Sequence, residues 1–175
     1  MKPSIKSGLY TGLLSGLWVL SCFTIVSWFN SSLHLEIPAW RIRAYSGLFS
    51  IIILVVGIYL GIREAKRQNG SQITYGGAIK TGVIVSIITG VLVALFSFLY
   101  CTVINPGYAT YMAKEAEKAM VAAHDSPEKI SRQLDKVKQD FSTSSQVVMT
   151  LVGQIVVGTI SSLIIGKFIR NKKQS

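Results

Sequence analysis

The chain has 175 residues, half of them hydrophobic and only 15% charged, with 18 Lys and Arg against 8 Asp and Glu for a net charge of +10. Soluble domains carry about 25% charged residues. Here the shortfall is concentrated in four long, nearly charge-free blocks, which excludes a soluble helical bundle, because soluble core helices rarely run ~18 residues without a charge.

The first block, about 8–29, reads GLYTGLLSGLWVLSCFTIVSWF. As a helix it spans about 30 Å, the thickness of the hydrocarbon core. A basic start at Lys2 and Lys6, and the stretch Val19-Leu20-Ser21-Cys22, also suggest a signal peptide or lipoprotein box. Signal cores, however, are about 7–15 residues long and give way to polar sequence, whereas this run continues apolar through Phe29. A crossing is therefore expected. The second crossing is expected over about 44–62, the third over about 77–104 with Lys80 near its start, and the fourth over about 146–169. Each must be helical, since an isolated strand in lipid leaves its backbone polar groups unpaired.

Between the third and fourth crossings, residues 105–145 form a charged segment with its own pattern. Asn105-Pro106-Gly107 ends the third helix, since proline cannot continue the hydrogen-bond ladder. The following stretch reads as a helix with Tyr108, Met112, Ala116, Ala119, Met120 and Ala123 near one face. Ser126 and Pro127 suit the N-cap and first position of a second helix. That helix carries Ile130, Leu134, Val137 and Phe141 as a single apolar stripe. Two readings of the stripe stay open: packing within a helical hairpin, or docking a partner, which could be a second copy of this chain. Six acids balance six cations in this segment, which argues against electrostatic adhesion to anionic lipid.

Orientation follows from Lys and Arg in the flanks of the crossings. Lys2, Lys6, Arg63, Lys66, Arg67, Lys80, Lys167, Arg170, Lys172 and Lys173 share one side, with Glu64 the single acid. The opposite side has Arg41 and Arg43 against Glu36, plus the balanced segment. The basic side is expected to be cytoplasmic, so both termini are cytoplasmic and residues 105–145 are extracytoplasmic. The same placement of basic residues at helix ends, with no aromatic-studded basic face or zinc spacing, sets nucleic acid aside as a partner.

Small residues recur at four-residue spacing in every crossing: Gly8, Gly12 and Gly16; Gly57 and Gly61; Gly82, Ser86 and Gly90; Gly158, Ser162 and Gly166. Lipid offers helices no hydrophobic reason to associate, so close backbone approach matters. These glycines are expected to pack the helices of one bundle, with the ridge of the first crossing as the alternative, a dimer face.

Candidate chemistry is sparse. No Asp or Glu lies at mid-depth in any crossing, as a proton-coupled exporter requires. No Ser–His pair, paired carboxylates or metalloprotease motif occurs. No enzyme activity, cofactor or metal is expected. His34 and His124 form a weak candidate metal pair, and Cys22 and Cys101 read as free thiols rather than a disulfide. Lys80 reads as a snorkelling interfacial lysine, Arg41 and Arg43 as anchors beside Trp40 and Tyr45, and Gln154 as a hydrogen-bonding residue between helices.

The pieces GIYLGIREAKRQNG, ITYGGAIKTGVIVSIITG and FLYCTVINPGY, followed by the charged helices, are similar to a family of small membrane proteins found mainly in Bacteroidetes, domain of unknown function 4199. The shared features are Gly61 and Arg63, Gly77 to Gly82 with Lys80, and Asn105-Pro106. The resemblance covers the whole length and implies a four-crossing protein of a Gram-negative inner membrane. It brings no activity with it.

The reading is therefore an all-α, polytopic four-helix membrane bundle, residues 1–175 as one domain, with an extracytoplasmic helical hairpin. Its expected partners are the bilayer and a membrane or periplasmic protein, or further copies of itself. The leading function is a structural or protein-interaction subunit; the alternative is a small transporter or channel subunit working as an oligomer. A cysteine introduced at Ser126 should react with a membrane-impermeant thiol reagent added outside the inner membrane, and one at Ser175 should not. The reverse labelling would invert the orientation.

Overall fold

Long apolar sequence and hydrogen-bonded backbone combine in six helices in the computed structural model, which describes residues 1–33 and 39–169, the side chains of 26–33 and 39–44 excepted. They are α1 Pro3–Leu33, α2 Ala39–Gln68, α3 Tyr75–Leu99 with a π-helical turn at Tyr100–Ile104, α4 Tyr108–Ala122, α5 Pro127–Asp140 and α6 Thr143–Ile169. The chain is all-α among the described residues. Four segments, Pro3–Ile25, Tyr45–Gln68, Tyr75–Ile104 and Thr143–Ile169, are long and apolar enough to cross a membrane. The sites named above as His34 and Glu36, the side chains of Trp40, Arg41 and Arg43, and the tail with Arg170, Lys172, Lys173 and Ser175 lie outside the described residues.

The helices outrun their apolar blocks. α2 continues past Ile62 through Arg63-Glu64-Ala65-Lys66-Arg67-Gln68, a run of good helix formers. α3 begins at Tyr75, where Thr74 caps it by accepting a hydrogen bond from Gly77 N at 3.1 Å. Its far end departs from a plain α-helix. The residue before a proline is disfavoured in the α region, and Asn105 leaves it at φ −137°, ψ 75°. The last turn widens, with Asn105 N donating to Tyr100 O at 2.7 Å.

Close approach between helices runs through the small residues. On α1, a Cβ added to Gly8 would lie 2.8 Å from Ile88 Cβ, and one on Gly12 would lie 2.6 Å from Leu92 Cδ1. Gly16 is covered in the same way by Phe96. The three α3 residues rise in step with the three glycines, so α1 and α3 run parallel, and the ridge is occupied within the same chain. Between α3 and α6 the fit is reciprocal: Ser162 sits over Gly82, and Ser86 sits over Gly158. That order makes the two helices antiparallel. Gly57 of α2 is covered by Thr11 of α1, and Gly61 by Ser7 and Val85. Gly90 faces Leu151 and Gln154, and Gly166 faces Ala78 and Tyr75. All nine of these glycines are buried.

Two apolar clusters fill the space between the helices. Leu54, Ile58, Ile62, Ile73, Ala78 and Val85 form one toward the end where α1 begins and α6 finishes. Tyr100, Cys101, Tyr108 and Met112 form the other, with Leu20, Phe23 and Phe141 against it. Lys6, Arg63, Lys66, Arg67, Lys80 and Lys167 thus gather at the first end, and α4 and α5 at the second. Around the outside, large apolar side chains such as Leu48, Ile52, Val56, Leu95, Val152, Val156 and Ile164 are half or more exposed. Such a belt on every long helix is the surface a bilayer covers.

Overfilling a close contact should cost about 1–3 kcal/mol or more. Gly12→Leu and Gly158→Leu are expected to lower the yield of monodisperse protein in detergent gel filtration. Gly76→Ala, where a Cβ meets nothing within 4 Å, should leave it unchanged.

Candidate functional site

The buried stripe of α2 changes chemistry along its length. Leu54, Ile58 and Ile62 are fully buried toward the basic end, while Ser46 and Ser50 take the corresponding positions toward the other. Opposite these serines, α6 presents Gln146, Thr150 and Gln154, and α3 presents Ser97 and Tyr100. The four long helices border a cavity of about 290 Å³ here, with Phe23, Val93, Phe96 and Val157 among its apolar walls and the exposed Ile51 and Met149 at its open side.

Gln154 is the centre of this chamber. Its Nε2 donates to Ser50 Oγ at 3.1 Å, joining α6 to α2. Its Oε1 is buried and has no hydrogen-bond partner among the described residues. Ser46 is 3% exposed, and among the described residues its hydroxyl meets the weakly bonding Cys22 thiol. The chamber therefore holds hydroxyl and amide groups with spare hydrogen-bonding capacity. No carboxylate, lysine, arginine or histidine lines it among the described residues. Its chemistry suits hydrogen bonding to a neutral polar group and provides no proton-exchanging acid.

An aromatic cap closes the α4 side. The Phe23 and Tyr100 rings lie 5.3 Å apart, Tyr100 and Tyr108 meet edge-to-face at 5.6 Å, and Tyr108 and Phe141 do so at 6.0 Å. Asn105 Nδ2 donates to the Tyr100 hydroxyl at 3.2 Å. The widened π-helical turn brings Tyr100 and Cys101 inward together, and both are buried. Cys22 and Cys101 are not joined in a disulfide.

The apolar stripe beyond the cap is divided. Phe141 packs into the aromatic cluster, while Ile130, Leu134 and Val137 are half-buried on α5, which packs on α4. On α4 itself Tyr108, Met112, Ala113 and Met120 are the buried residues, whereas Ala119 and Ala123 are exposed. The turn between α4 and α5 is closed by His124 N to Val121 O at 3.0 Å and Asp125 N to Met120 O at 3.1 Å, the paired bonds of a Schellman cap. His124 occupies the left-handed position at φ 57°, usually taken by glycine. Ser126 caps α5 with its hydroxyl toward Lys129 N, and Pro127 follows at the first turn.

Among the described residues no three His, Cys, Asp or Glu side chains converge as metal ligands. Lys80 is exposed. The serines of the chamber were not singled out in the sequence, although Ser46 and Ser50 continue the four-residue spacing of Leu54, Ile58 and Ile62. That continuation was the available signal.

The family model described as Protein of unknown function (DUF4199) matches residues 6–171, and the chain belongs to that family. No curated protein and no solved structure matches it.

If the aromatic cap seals the chamber, Cys101 should be alkylated slowly in the folded protein. Tyr108→Ala should speed its alkylation by about tenfold, since thiol reactivity follows access, read by intact mass against time. Equal rates would mean that the cap does not limit access.

Proposed function

We propose that this member of the DUF4199 family is a structural or protein-interaction subunit of a bacterial inner membrane, with both termini cytoplasmic and α4 and α5 outside. The observation that carries this reading is α5: a capped helix of 14 residues with none fully buried and only Ile130, Leu134 and Val137 half-buried. It stands at the end of the molecule away from the basic residues. Its ion pairs are local, Lys129 with Asp125 of the preceding turn and Arg132 with Glu128 at 2.6 Å each, so among the described residues no ion pair joins α5 to another helix. A helix that covers little of its own protein leaves a face open to another, with apolar residues at the centre of the contact and charges on its rim. Ile130, Leu134 and Val137 supply apolar contact area beside those charges. The gathering of basic residues at the opposite end supports the orientation by the positive-inside rule.

A second reading, a small transporter or channel subunit, is favoured by the polar chamber around Gln154. It requires the chamber to open to water or to join that of another copy.

The two readings separate experimentally. In-cell crosslinking, followed by purification in mild detergent and mass spectrometry, should return a stoichiometric partner joined through Lys129, Lys136 or Lys138. Leu134→Glu should abolish that crosslink while α1 to α3 and α6 stay folded. Loss of the crosslink with no change in chamber accessibility supports the interaction subunit. A homo-oligomer in which Ser50→Cys, in a Cys22→Ala and Cys101→Ala background, reacts with an impermeant reagent supports the transporter.

A further inference from the structure

A wide concavity lies on the outer surface of the four long helices, between the first half of α1 and the second half of α2. It measures about 1260 Å³. Its floor is the close contact of Thr11 with Gly57, where Ser7 Oγ donates to Gly57 O at 2.7 Å. Leu14 from α1 and Ile52, Val56 and Leu60 from α2 form its walls, each half or more exposed. At one end only, the lining turns cationic, with Lys6, Arg63, Lys66 and Arg67 against the single acid Glu64.

The charges at this mouth are unequally engaged. Glu64 pairs with Arg67 at 3.1 Å and accepts from Gln68 Nε2 at 2.9 Å. Lys66 Nζ donates to Ile169 O at 2.9 Å. Arg63 has no hydrogen bond or ion pair among the described residues, and Lys6 has no ion pair among them. From Arg67 to Ile52 the groove follows α2 for about 22 Å. One leaflet's hydrocarbon is about 15 Å deep, so the groove has the length of one leaflet plus its headgroup layer.

We propose that this groove binds one anionic glycerophospholipid from the leaflet at the basic end. Its phosphate meets Arg63 and Lys6, and an acyl chain lies along Leu14, Ile52, Val56 and Leu60. A guanidinium without a protein partner presents a planar fork of donors to the phosphodiester. The floor exists because Gly57 lets α1 and α2 approach closely while the longer side chains on either side stand outward. The proposal rests on the membrane-spanning reading of the four long helices.

The test uses the full-length protein in detergent, with native mass spectrometry after exchange with phosphatidylglycerol or phosphatidylcholine of identical chains. One phosphatidylglycerol should be retained in about tenfold preference over phosphatidylcholine. Lys6→Gln with Arg63→Gln should remove most of that preference, as two interfacial cations carry about this magnitude. Lys80→Gln with Lys167→Gln, at the same end but outside the groove, should leave it intact. Val56→Trp, which fills the groove, should lower retention of both lipids, and glycerol 3-phosphate should not displace the bound lipid. Equal retention of the two lipids, or equal loss from both double variants, would overturn the site in favour of a general surface charge. Displacement by glycerol 3-phosphate would overturn the acyl-chain contact. Gel filtration and circular dichroism of each variant verify folding. A chain that stays folded and dispersed without detergent would instead remove the membrane premise itself.

Discussion

Everything in this fold depends on how closely four apolar helices approach one another where water gives them no reason to do so. In lipid, the gain comes from van der Waals contact and from hydrogen bonds between helices. Both require backbones to come near. The reciprocal contact of Gly82 and Gly158 with Ser162 and Ser86 is the clearest case, since each helix offers a glycine as a socket and a serine as the occupant. The serines are fully buried, and each satisfies its hydroxyl on its own helix: Ser86 Oγ on Gly82 O at 2.8 Å, Ser162 Oγ on Gly158 O at 2.6 Å. The polar atom is thus paired before the helices meet, and the contact adds packing without leaving a buried donor open.

Glycine serves a second purpose here. Without a side chain to cover it, a glycine carbonyl stays open to a neighbour's hydroxyl. Ser7 Oγ donates to Gly57 O between α1 and α2, and Thr89 Oγ1 reaches Gly8 O at 3.4 Å between α3 and α1. The interior is consequently polar in small steps, with Ser15, Ser86, Thr89 and Ser162 all fully buried. Toward α4 the steps widen. Ser46, Ser50, Gln146 and Gln154 are too few and too far apart to fill the space among the helices, and a chamber remains under the aromatic cap. Toward the basic end Leu54, Ile58 and Ile62 close the interior completely.

Charge sorts the two ends. The basic end carries side chains that also tie the helices together, as Lys66 does by bonding the last carbonyl of α6, a favourable place for a cation. The other end carries balanced charge on and between α4 and α5, part of it in local pairs such as Lys118 with Glu115 and Arg132 with Glu128, and Tyr108 and Phe141 join it to the aromatic cluster of the long helices. Proposed recognition outside the membrane and proposed lipid binding on the basic side thus draw on different surfaces, and neither competes with the glycine contacts that hold the helices together.

The four apolar lengths, the caps at Ser126 and Pro127 and the stop at Asn105-Pro106 were legible in the sequence by itself. They depend on the solvent around a segment and on local backbone sterics, and both are written residue by residue. Gln154 was legible as a polar residue needing a neighbour, though its partner Ser50 was not. Tertiary structure alone decided which small residues meet. Four-residue spacing recurs on all four helices, so sequence permits many pairings, and the choice of Gly8, Gly12 and Gly16 against α3 rather than a second copy depends on the simultaneous fit of every helix. The chamber, the inward turn of Tyr100 and Cys101 and the groove between α1 and α2 share that origin: each is a volume left between helices, set by side chains far apart in the chain.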